Sequence, residues 1–349
     1  MKQSIVVDSP GKMVSAGGVT VIQNTAAANV AIFDDAKQAI TSTVALSATP
    51  LDVAITPDGK QAWIIESNGA IQSIDTVAGT AAAAGSAPGA SRLVMSPEGT
   101  RLLVFSDDAN IQSVANSFGV LLPPSAGVST VADPTLLDRP FNGVFISDDQ
   151  FWLLNCGSEC GGAKAGIVSV NLFPAGGGGP ALGTPTVVRG ATVALLNKGI
   201  LYVAGSTALA NLNGGNLQFF SSATGAALVG PISIPDGRHL DMVLAPGGQA
   251  GKIYIGSRGC GPGPLTNGER EGCLAILDIA NQTVELVTEP ASQASYDITC
   301  IVPVPGTTLV YVCSGGKMKI FDSATGLVST AVIPPNIAGQ VLNAVVMSQ

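Results

Sequence analysis

This chain has a single histidine, His239, and two tryptophans among its 349 residues. One histidine excludes metal sites built from several histidines and is a poor basis for haem or copper ligation. No stretch of about 18 consecutive apolar residues occurs, so no membrane-spanning helix is expected. Positive charge is scarce, because 16 Lys and Arg residues stand against 24 Asp and Glu, a net charge of −8. That balance argues against nucleic acid or an anionic membrane as the main partner.

Turn-forming and apolar residues are plentiful instead. The chain contains 43 glycines and 22 prolines, and 46% of its residues are hydrophobic. This hydrophobic content excludes a disordered chain, and the many turn residues favour short strands over a helical bundle.

The six cysteines form three couples of near neighbours: Cys156 with Cys160, Cys260 with Cys273, and Cys300 with Cys313. An even number in local pairs favours disulfides and an oxidising compartment. Residues 1–10 have no apolar core of the signal-peptide type. We therefore expect an extracytoplasmic protein, in the periplasm or secreted, whose leader is absent from this sequence.

A repeated sequence motif runs along the chain. Residues 53–59 read as a strand that ends in a Pro57-Asp58-Gly59 turn, and residues 62–65 and 71–74 follow as second and third strands. In the turn, Pro presets φ, Asp bonds the local backbone and Gly takes a positive φ. Five more first strands with their followers occur downstream, and seven third strands are visible at intervals of 40 to 57 residues.

The chain ends complement each other. The N-terminal copy begins at its second strand, Val19–Ile22, and the C-terminal strand Leu342–Met347 has the first-strand pattern without a successor. We therefore predict one all-β domain over residues 1–349, a seven-bladed β-propeller of four-stranded antiparallel blades. Its ring is closed by pairing the N- and C-terminal strands in one blade, which buries exposed sheet edges. The predicted blades are 341–348 with 19–48, then 49–88, 89–138, 139–189, 190–237, 238–293 and 294–340.

The phrases resemble the YVTN-type repeats of bacterial surface-layer-associated and lactonase-like seven-bladed propellers. Three features carry the likeness: an aromatic-Val second strand as in residues 201–204, a Ser/Thr-Pro-Asp/Glu-Gly turn as in 96–99, and an Asp-x-Ala-Thr-Gly turn as in 322–326. The resemblance covers nearly the whole chain. It implies the propeller fold and little about activity, because that wider group includes hydrolases, quinoprotein subunits and scaffolds.

Propeller geometry places the loops between blades and the loops from second to third strands on one rim. Blades 4 to 6 have long loops there, over residues 156–165, 205–215 and 257–272, and two of the three contain cysteine couples. We expect this loop-rich face to bind a partner. The binding candidates at the rim are Asp52, Arg92, Arg139, Asn142, Arg238, His239, Asp241, Arg258, Glu269, Arg270 and Asp297.

The favoured function is a non-catalytic, monomeric binding or scaffold module for a protein, peptide or cell-surface ligand, without a cofactor. One alternative is a lactonase-type hydrolase at the channel mouth that uses His239, Asp241, Arg238 and Arg92. Another is a subunit of a redox or surface assembly. Asp52, Asp241 and Asp297 occupy equivalent positions, where they either bind Ca²⁺ or simply bond neighbouring backbone; we favour the second interpretation and expect no metal.

Overall fold

A computed structural model of the chain describes residues 9–107, 110–124, 127–207, 214–245, 251–260, 272–287, 297–329 and 343–345. Within these ranges the chain forms β-strands and turns, no α-helix, and one short 3₁₀ turn at Gly157–Cys160. None of its described elements is a helix with the length and hydrophobicity that a membrane span requires. The strands form seven sheets and one small ribbon. These sheets are the blades of a seven-bladed β-propeller, as the repeats predict.

The first four sheets contain nineteen strands together with the ribbon. Sheet 1 contains β1 (Pro10–Ala16), β2 (Val19–Asn24), β3 (Asn29–Asp34) and β4 (Ala39–Ala45); sheet 2 contains β5 (Pro50–Ile55), β6 (Gln61–Glu66), β7 (Ala70–Asp75) and β8 (Thr80–Ser86). Next come β9 (Arg92–Met95), β10 (Leu102–Phe105), β11 (Asn110–Ile111), β12 (Val114–Ala115), β13 (Ser117–Leu121) and β14 (Ser129–Ala132), where β11 and β12 are the ribbon and the others are sheet 3. Sheet 4 contains β15 (Pro140–Phe145), β16 (Gln150–Asn155), β17 (Gly166–Asn171), β18 (Ala181–Leu182) and β19 (Thr186–Val187).

The remaining sheets follow the same up-and-down order. Sheet 5 contains β20 (Val193–Asn197), β21 (Ile200–Ser206), β22 (Gly215–Ser221) and β23 (Ala227–Ile234). Sheet 6 contains β24 (Arg238–Leu244), β25 (Lys252–Arg258), β26 (Cys273–Asp278) and β27 (Thr283–Val287), and sheet 7 contains β28 (Ile298–Pro303), β29 (Leu309–Ser314) and β30 (Lys317–Asp322).

Contacts divide the chain into two compact units. Unit 1 holds the residues up to Leu153 together with Val168–Pro185, and therefore sheets 1 to 3. Unit 2 holds Leu154–Ile167 and the chain from Thr186 to Val346, and therefore sheets 5 to 7, while the boundary passes through sheet 4.

The core of each unit lies between neighbouring sheets. In unit 1, Trp63 of sheet 2 packs with Leu102 and Val104 of sheet 3, and in unit 2, Tyr202 of sheet 5 packs with Ile253 of sheet 6. The second strands are buried along most of their length because both of their faces are covered. Trp63, Trp152, Tyr202 and Tyr254 are all buried. Their matched positions therefore serve packing and do not form an exposed stacking platform.

The Pro-Asp-Gly turn forms as expected. The Thr56 hydroxyl donates to Asp58 Oδ1 at 2.7 Å, and Gly59 has a φ of +72°. A Cβ at Gly59 would lie 2.3 Å from the Ala16 carbonyl oxygen at the end of β1. Glycine is therefore required both by the backbone conformation and by the approach of the neighbouring sheet.

Sheet 1 corrects one expectation. β1 pairs with β2 along Met13–Ala16, so the chain's own N-terminal segment occupies the place that we expected Leu342–Met347 to fill. The two-residue Gly17-Gly18 link, with positive φ at both residues, makes this hairpin, and it is a recognised hairpin signal. Of the C-terminal strand, only residues 343–345 lie within the described part of the chain.

Sheet 3 also differs locally. Its third strand begins at Ser117, and Val114–Ala115 pair with β11. Asn116 separates the two segments and has a positive φ of 50°. This left-handed residue breaks the strand between the two segments.

Candidate functional site

Asp52 is a structural residue in unit 1. The residue is 5% exposed, and its carboxylate accepts hydrogen bonds from the backbone N–H groups of Val53 at 2.9 Å and Leu93 at 2.7 Å. Lys12 of β1 forms a 2.5 Å ion pair with the same carboxylate. Asp52 therefore joins sheets 1, 2 and 3, which agrees with the interpretation that this Asp bonds neighbouring backbone.

Arg92 has a similar role one sheet further on. Its guanidinium donates to the Phe141 carbonyl oxygen at 2.7 Å, lies 3.9 Å from the centre of the Phe141 ring and pairs with Asp107 at 3.3 Å. Nearby, the backbone N–H of Arg139 donates to Asn116 Oδ1 at 3.1 Å, and Asn142 Oδ1 accepts the N–H of Gly143 at 2.9 Å. The contacts of Arg92 and Arg139 tie sheet 3 to the start of sheet 4, whereas the Asn142 bond lies within β15.

In unit 2, the rim candidates are brought together at one end of sheets 5, 6 and 7. Asp297 Oδ1 accepts the backbone N–H of Gly259 at 3.0 Å, and Arg258 Nε donates to the Ile298 carbonyl oxygen at 3.4 Å. Asp241 is partly buried in β24. Glu269 and Arg270 lie outside the described residues.

His239 is enclosed. Its side chain is 1% exposed, and Nε2 lies 3.0 Å from the Pro235 carbonyl oxygen. Because a carbonyl oxygen can only accept, Nε2 carries the proton and Nδ1 is the acceptor. Nδ1 has no hydrogen-bond partner among the described residues. Burial lowers the pKa of His239 to about 4, although the bond to Pro235 and the charge of Asp236 act in the opposite direction.

Glu159 is a site residue that the sequence reasoning missed. It lies on the 3₁₀ turn at Gly157–Cys160, which the Cys156–Cys160 disulfide closes, and it is 8% exposed. Its Oε2 accepts the backbone N–H of Ser206 at 2.7 Å, whereas Oε1 has no partner within the described chain. Burial raises the pKa of Glu159 to about 7; the bond from Ser206 and the charge of Arg238 lower it, and Asp236 raises it.

Glu159 belongs to a continuous network across unit 2. The Ser158 hydroxyl donates to the Thr207 carbonyl oxygen, and the Ser206 hydroxyl donates to the Gly237 carbonyl oxygen at 2.9 Å. Gly237 has a φ of +101°, and a Cβ there would lie 2.4 Å from the Arg258 carbonyl oxygen. We call the residues of this network the unit 2 rim. They are residues 156–160, 206–207, 235–238, 258–260 and 297.

The repeat contains a signal that could have revealed part of this network. Each second strand has a buried polar residue at its end or next to it, where the strand meets its loop: Asn24, Glu66, Ser106, Asn155, Ser206, Ser257 and Ser314. A polar residue after a run of buried apolar residues predicts a side chain that anchors the adjoining loop. Glu66 shows this use, because its Oε2 accepts the N–H of Ala48 at 2.7 Å and the Ser47 hydroxyl.

The three predicted disulfides are confirmed: Cys156–Cys160, Cys260–Cys273 and Cys300–Cys313. Cys300 and Cys313 are direct cross-strand partners in β28 and β29. All six cysteines are thereby paired. Within the described ranges no group of three or more His, Cys, Asp or Glu side chains is arranged to hold a metal ion.

No protein-family model and no curated protein matches this chain. Solved structures do match it. BamB from Moraxella catarrhalis superposes with a TM-score of 0.62 at 15% identity, over 95% of this chain and 89% of that one.

Two further solved structures show the same likeness. Kuenenia stuttgartiensis hydrazine synthase gives a TM-score of 0.55 at 15% identity, over 95% of this chain and 82% of that one. Saccharomyces cerevisiae Sqt1 gives 0.61 at 12% identity, over 86% and 78% respectively. At these identities the likeness concerns the fold alone, which is the propeller already described.

Proposed function

We propose that the protein is an extracytoplasmic binding or scaffold module that presents the unit 2 rim to a protein or peptide partner. The observation that carries this proposal is the loop-to-loop network from Ser158 through Ser206 and Gly237 to Arg258 and Asp297. A surface whose loops are already joined loses little conformational entropy on binding, so more of its contact energy becomes affinity.

Two disulfides reinforce this surface. Cys156–Cys160 closes the turn that carries Ser158 and Glu159, and Cys260–Cys273 joins the end of β25 to the start of β26. Disulfides persist in oxidising compartments, which supports a location in the periplasm or outside the cell. The resemblance to YVTN-type repeats agrees with such a location. Membership of that repeat family and a monomeric state are both part of this proposal.

The hydrolase alternative has less support from the geometry. A general base must come within hydrogen-bond reach of a substrate proton, and His239 is 1% exposed, with Nε2 engaged at the Pro235 carbonyl oxygen. Arg92 is likewise engaged by Phe141 and Asp107. If the wild type hydrolyses any member of a panel of lactones and His239→Gln abolishes that activity, the result would favour the hydrolase over the binding module.

The binding role is tested with two bulky substitutions at exposed loop positions of unit 2. Ala163 lies in the loop between β16 and β17, which adjoins the rim, and Lys198 lies in the β20–β21 turn at the other end of its sheet. Partners captured from a native extract are identified by mass spectrometry, purified and titrated calorimetrically against the wild type, Ala163→Trp and Lys198→Trp.

We expect Ala163→Trp to weaken the interaction at least about tenfold, because a misfitted bulky side chain at an interface removes well-packed contacts. Lys198→Trp should leave it unchanged. Equal affinity of both variants, or a loss only in Lys198→Trp, would contradict binding at this rim. Failure of the wild type to retain any partner above background would also contradict binding at this rim.

A further inference from the structure

The three disulfides of the chain differ in what they close. Cys156–Cys160 joins residues 4 apart in sequence, whereas Cys260–Cys273 and Cys300–Cys313 each join residues 13 apart. A disulfide stabilises a fold less when the loop that it closes is shorter. Breaking Cys156–Cys160 therefore leaves the sheets and the two longer links in place, so that the change stays local to its turn.

Reductants reach the three bonds unequally. Cys160 is partly exposed, while its partner Cys156 is fully buried. Cys300 and Cys313 are both buried, as facing residues of β28 and β29. Thiol–disulfide exchange requires a thiolate to approach one of the two sulfur atoms, so Cys160 is the point of attack in the short link. Cys260–Cys273 also has one partly exposed member, and its response is therefore measured alongside.

The turn inside Cys156–Cys160 supplies two contacts of the rim network. The Ser158 hydroxyl donates to the Thr207 carbonyl oxygen, and Glu159 Oε2 accepts the backbone N–H of Ser206 at 2.7 Å. The turn is a single 3₁₀ turn of 4 residues, and no described side chain caps its start. A 3₁₀ turn of this length has poor hydrogen-bond geometry and little stability by itself. The disulfide therefore holds Ser158 and Glu159 in contact with the end of β21.

We propose that the Cys156–Cys160 disulfide is a redox switch that opens the unit 2 rim on exchange with a dithiol reductant. One thiolate of the dithiol attacks Cys160 Sγ and the bond to Cys156 breaks. The second thiolate of the dithiol then displaces Cys160 and closes a cyclic disulfide. Two electrons and two protons pass from the dithiol to the two cysteines, which end as thiols. The turn is then free to leave Ser206 and Thr207. The effect on partner affinity rests on the proposed function, whereas the opening of the rim does not.

Graded reduction of the native protein with dithiothreitol tests the chemistry. The reaction is quenched with iodoacetamide, and peptide mass spectrometry measures alkylation at each cysteine. We expect Cys156 and Cys160 to be alkylated at a dithiothreitol concentration at least about tenfold below the one that reduces Cys300–Cys313. The near-ultraviolet circular dichroism of the native fold should be retained at that lower concentration.

Amide hydrogen exchange at Ser206, whose N–H donates to Glu159, tests the opening of the rim. Selective reduction should accelerate exchange of this amide about tenfold or more, because its acceptor is no longer held in place. The amide of Leu201, buried in the same strand, should exchange at an unchanged rate. The double variant Cys156→Ser with Cys160→Ser should show the faster Ser206 exchange without reductant and no further response to it. Reoxidation of the wild type should restore the slow rate.

The captured partner tests the consequence for binding. Selective reduction should weaken its affinity for the wild type about tenfold and should leave its affinity for the double variant unchanged. A partner that binds the oxidised and the selectively reduced wild type equally would leave the binding module in place and remove the switch. Faster Ser206 exchange in a protein that captures no partner would leave the opening of the rim in place and remove the proposed function.

Three outcomes of the reduction experiment would overturn the inference. They are reduction of Cys156–Cys160 only together with Cys300–Cys313, earlier reduction of Cys260–Cys273, and a Ser206 exchange rate that selective reduction leaves unchanged. The selective reduction is made on the wild type, so these outcomes can be read even if the double variant does not fold.

Discussion

The Oε2 atom of Glu159 accepts a hydrogen bond from the backbone N–H of Ser206 at 2.7 Å, across 47 residues of sequence. This bond joins the disulfide-closed turn to the end of β21. Ser206 is fully buried, so its N–H has no access to water as a replacement acceptor. The bond therefore contributes to the stability of unit 2 as well as to the shape of its rim.

Substitution at Glu159 tests that bond. Glu159→Ala leaves a buried N–H without an acceptor, and we expect the free energy of unfolding to fall by about 1–3 kcal/mol. Glu159→Gln keeps an amide oxygen that can accept the same bond and should be close to the wild type. Urea unfolding near pH 4.5, where Glu159 carries its proton in the folded protein, measures both. Equal losses in the two variants would show that the bond to Ser206 has no special weight.

The raised pKa of Glu159 predicts a pH dependence with a definite sign. The folded protein binds a proton between the ordinary pKa of 4.5 and the folded value of about 7, whereas the unfolded chain does not. This group's contribution to stability is therefore present at low pH and is lost as pH rises through that window. The stability of Glu159→Gln minus that of the wild type should rise with pH by up to about 3 kcal/mol. A constant difference across the window would contradict the raised pKa.

His239 acts in the opposite direction. Its folded pKa of about 4 lies below the ordinary 6.5, so the unfolded chain binds the proton in that interval. Stability therefore falls as pH decreases from 6.5 towards 4, by up to about 3 kcal/mol. His239→Gln can still donate to the Pro235 carbonyl oxygen but does not titrate. Denaturation followed against pH should show a shallower acid loss in this variant, and identical profiles would indicate that His239 reaches solvent.

Asp52 should behave as a structural residue and not as a ligand-binding one. Asp52→Ala removes the acceptor for the Leu93 N–H and the partner of Lys12, and we expect a loss of about 3 kcal/mol or more in the free energy of unfolding. Asp58→Ala, at an exposed turn, should lose much less. Binding of the captured partner by the folded Asp52→Ala protein should be unchanged, and a weakened affinity would place Asp52 in the binding site after all.

The disulfides should differ in their contributions. Cys260–Cys273 closes a separation of 13 residues and Cys156–Cys160 a separation of 4. Loop-closure entropy then predicts losses of about 3 and about 2 kcal/mol when each pair is replaced by serine. Thermal unfolding of the two double variants compares them. A larger loss for Cys156–Cys160 would show that its turn stabilises the rim beyond the closure of its own loop, through Glu159 and Ser206.

The sheets and the disulfides could be predicted because their signals are local. A turn such as Pro57-Asp58-Gly59 sets the chain direction through its own φ values, and Cys300 lies opposite Cys313 because the hairpin between them is short. The prediction for sheet 1 was wrong because the short segment before Gly17 was not recognised as a strand. For Asp52, the favoured interpretation was a carboxylate that bonds neighbouring backbone, and its bonds from Val53 and Leu93 agree with it.

The sequence by itself determined the seven-fold repetition, the strand order within most sheets and the partners of all six cysteines, since each depends on residues close together in the chain. Only the tertiary structure decided that His239 is enclosed and that Glu159 reaches Ser206. Burial and electrostatic surroundings arise from segments far apart in sequence, whose approach depends on how sheets pack and how a bulge sets the register of β24. The local sequence pattern does not encode the distances between these segments.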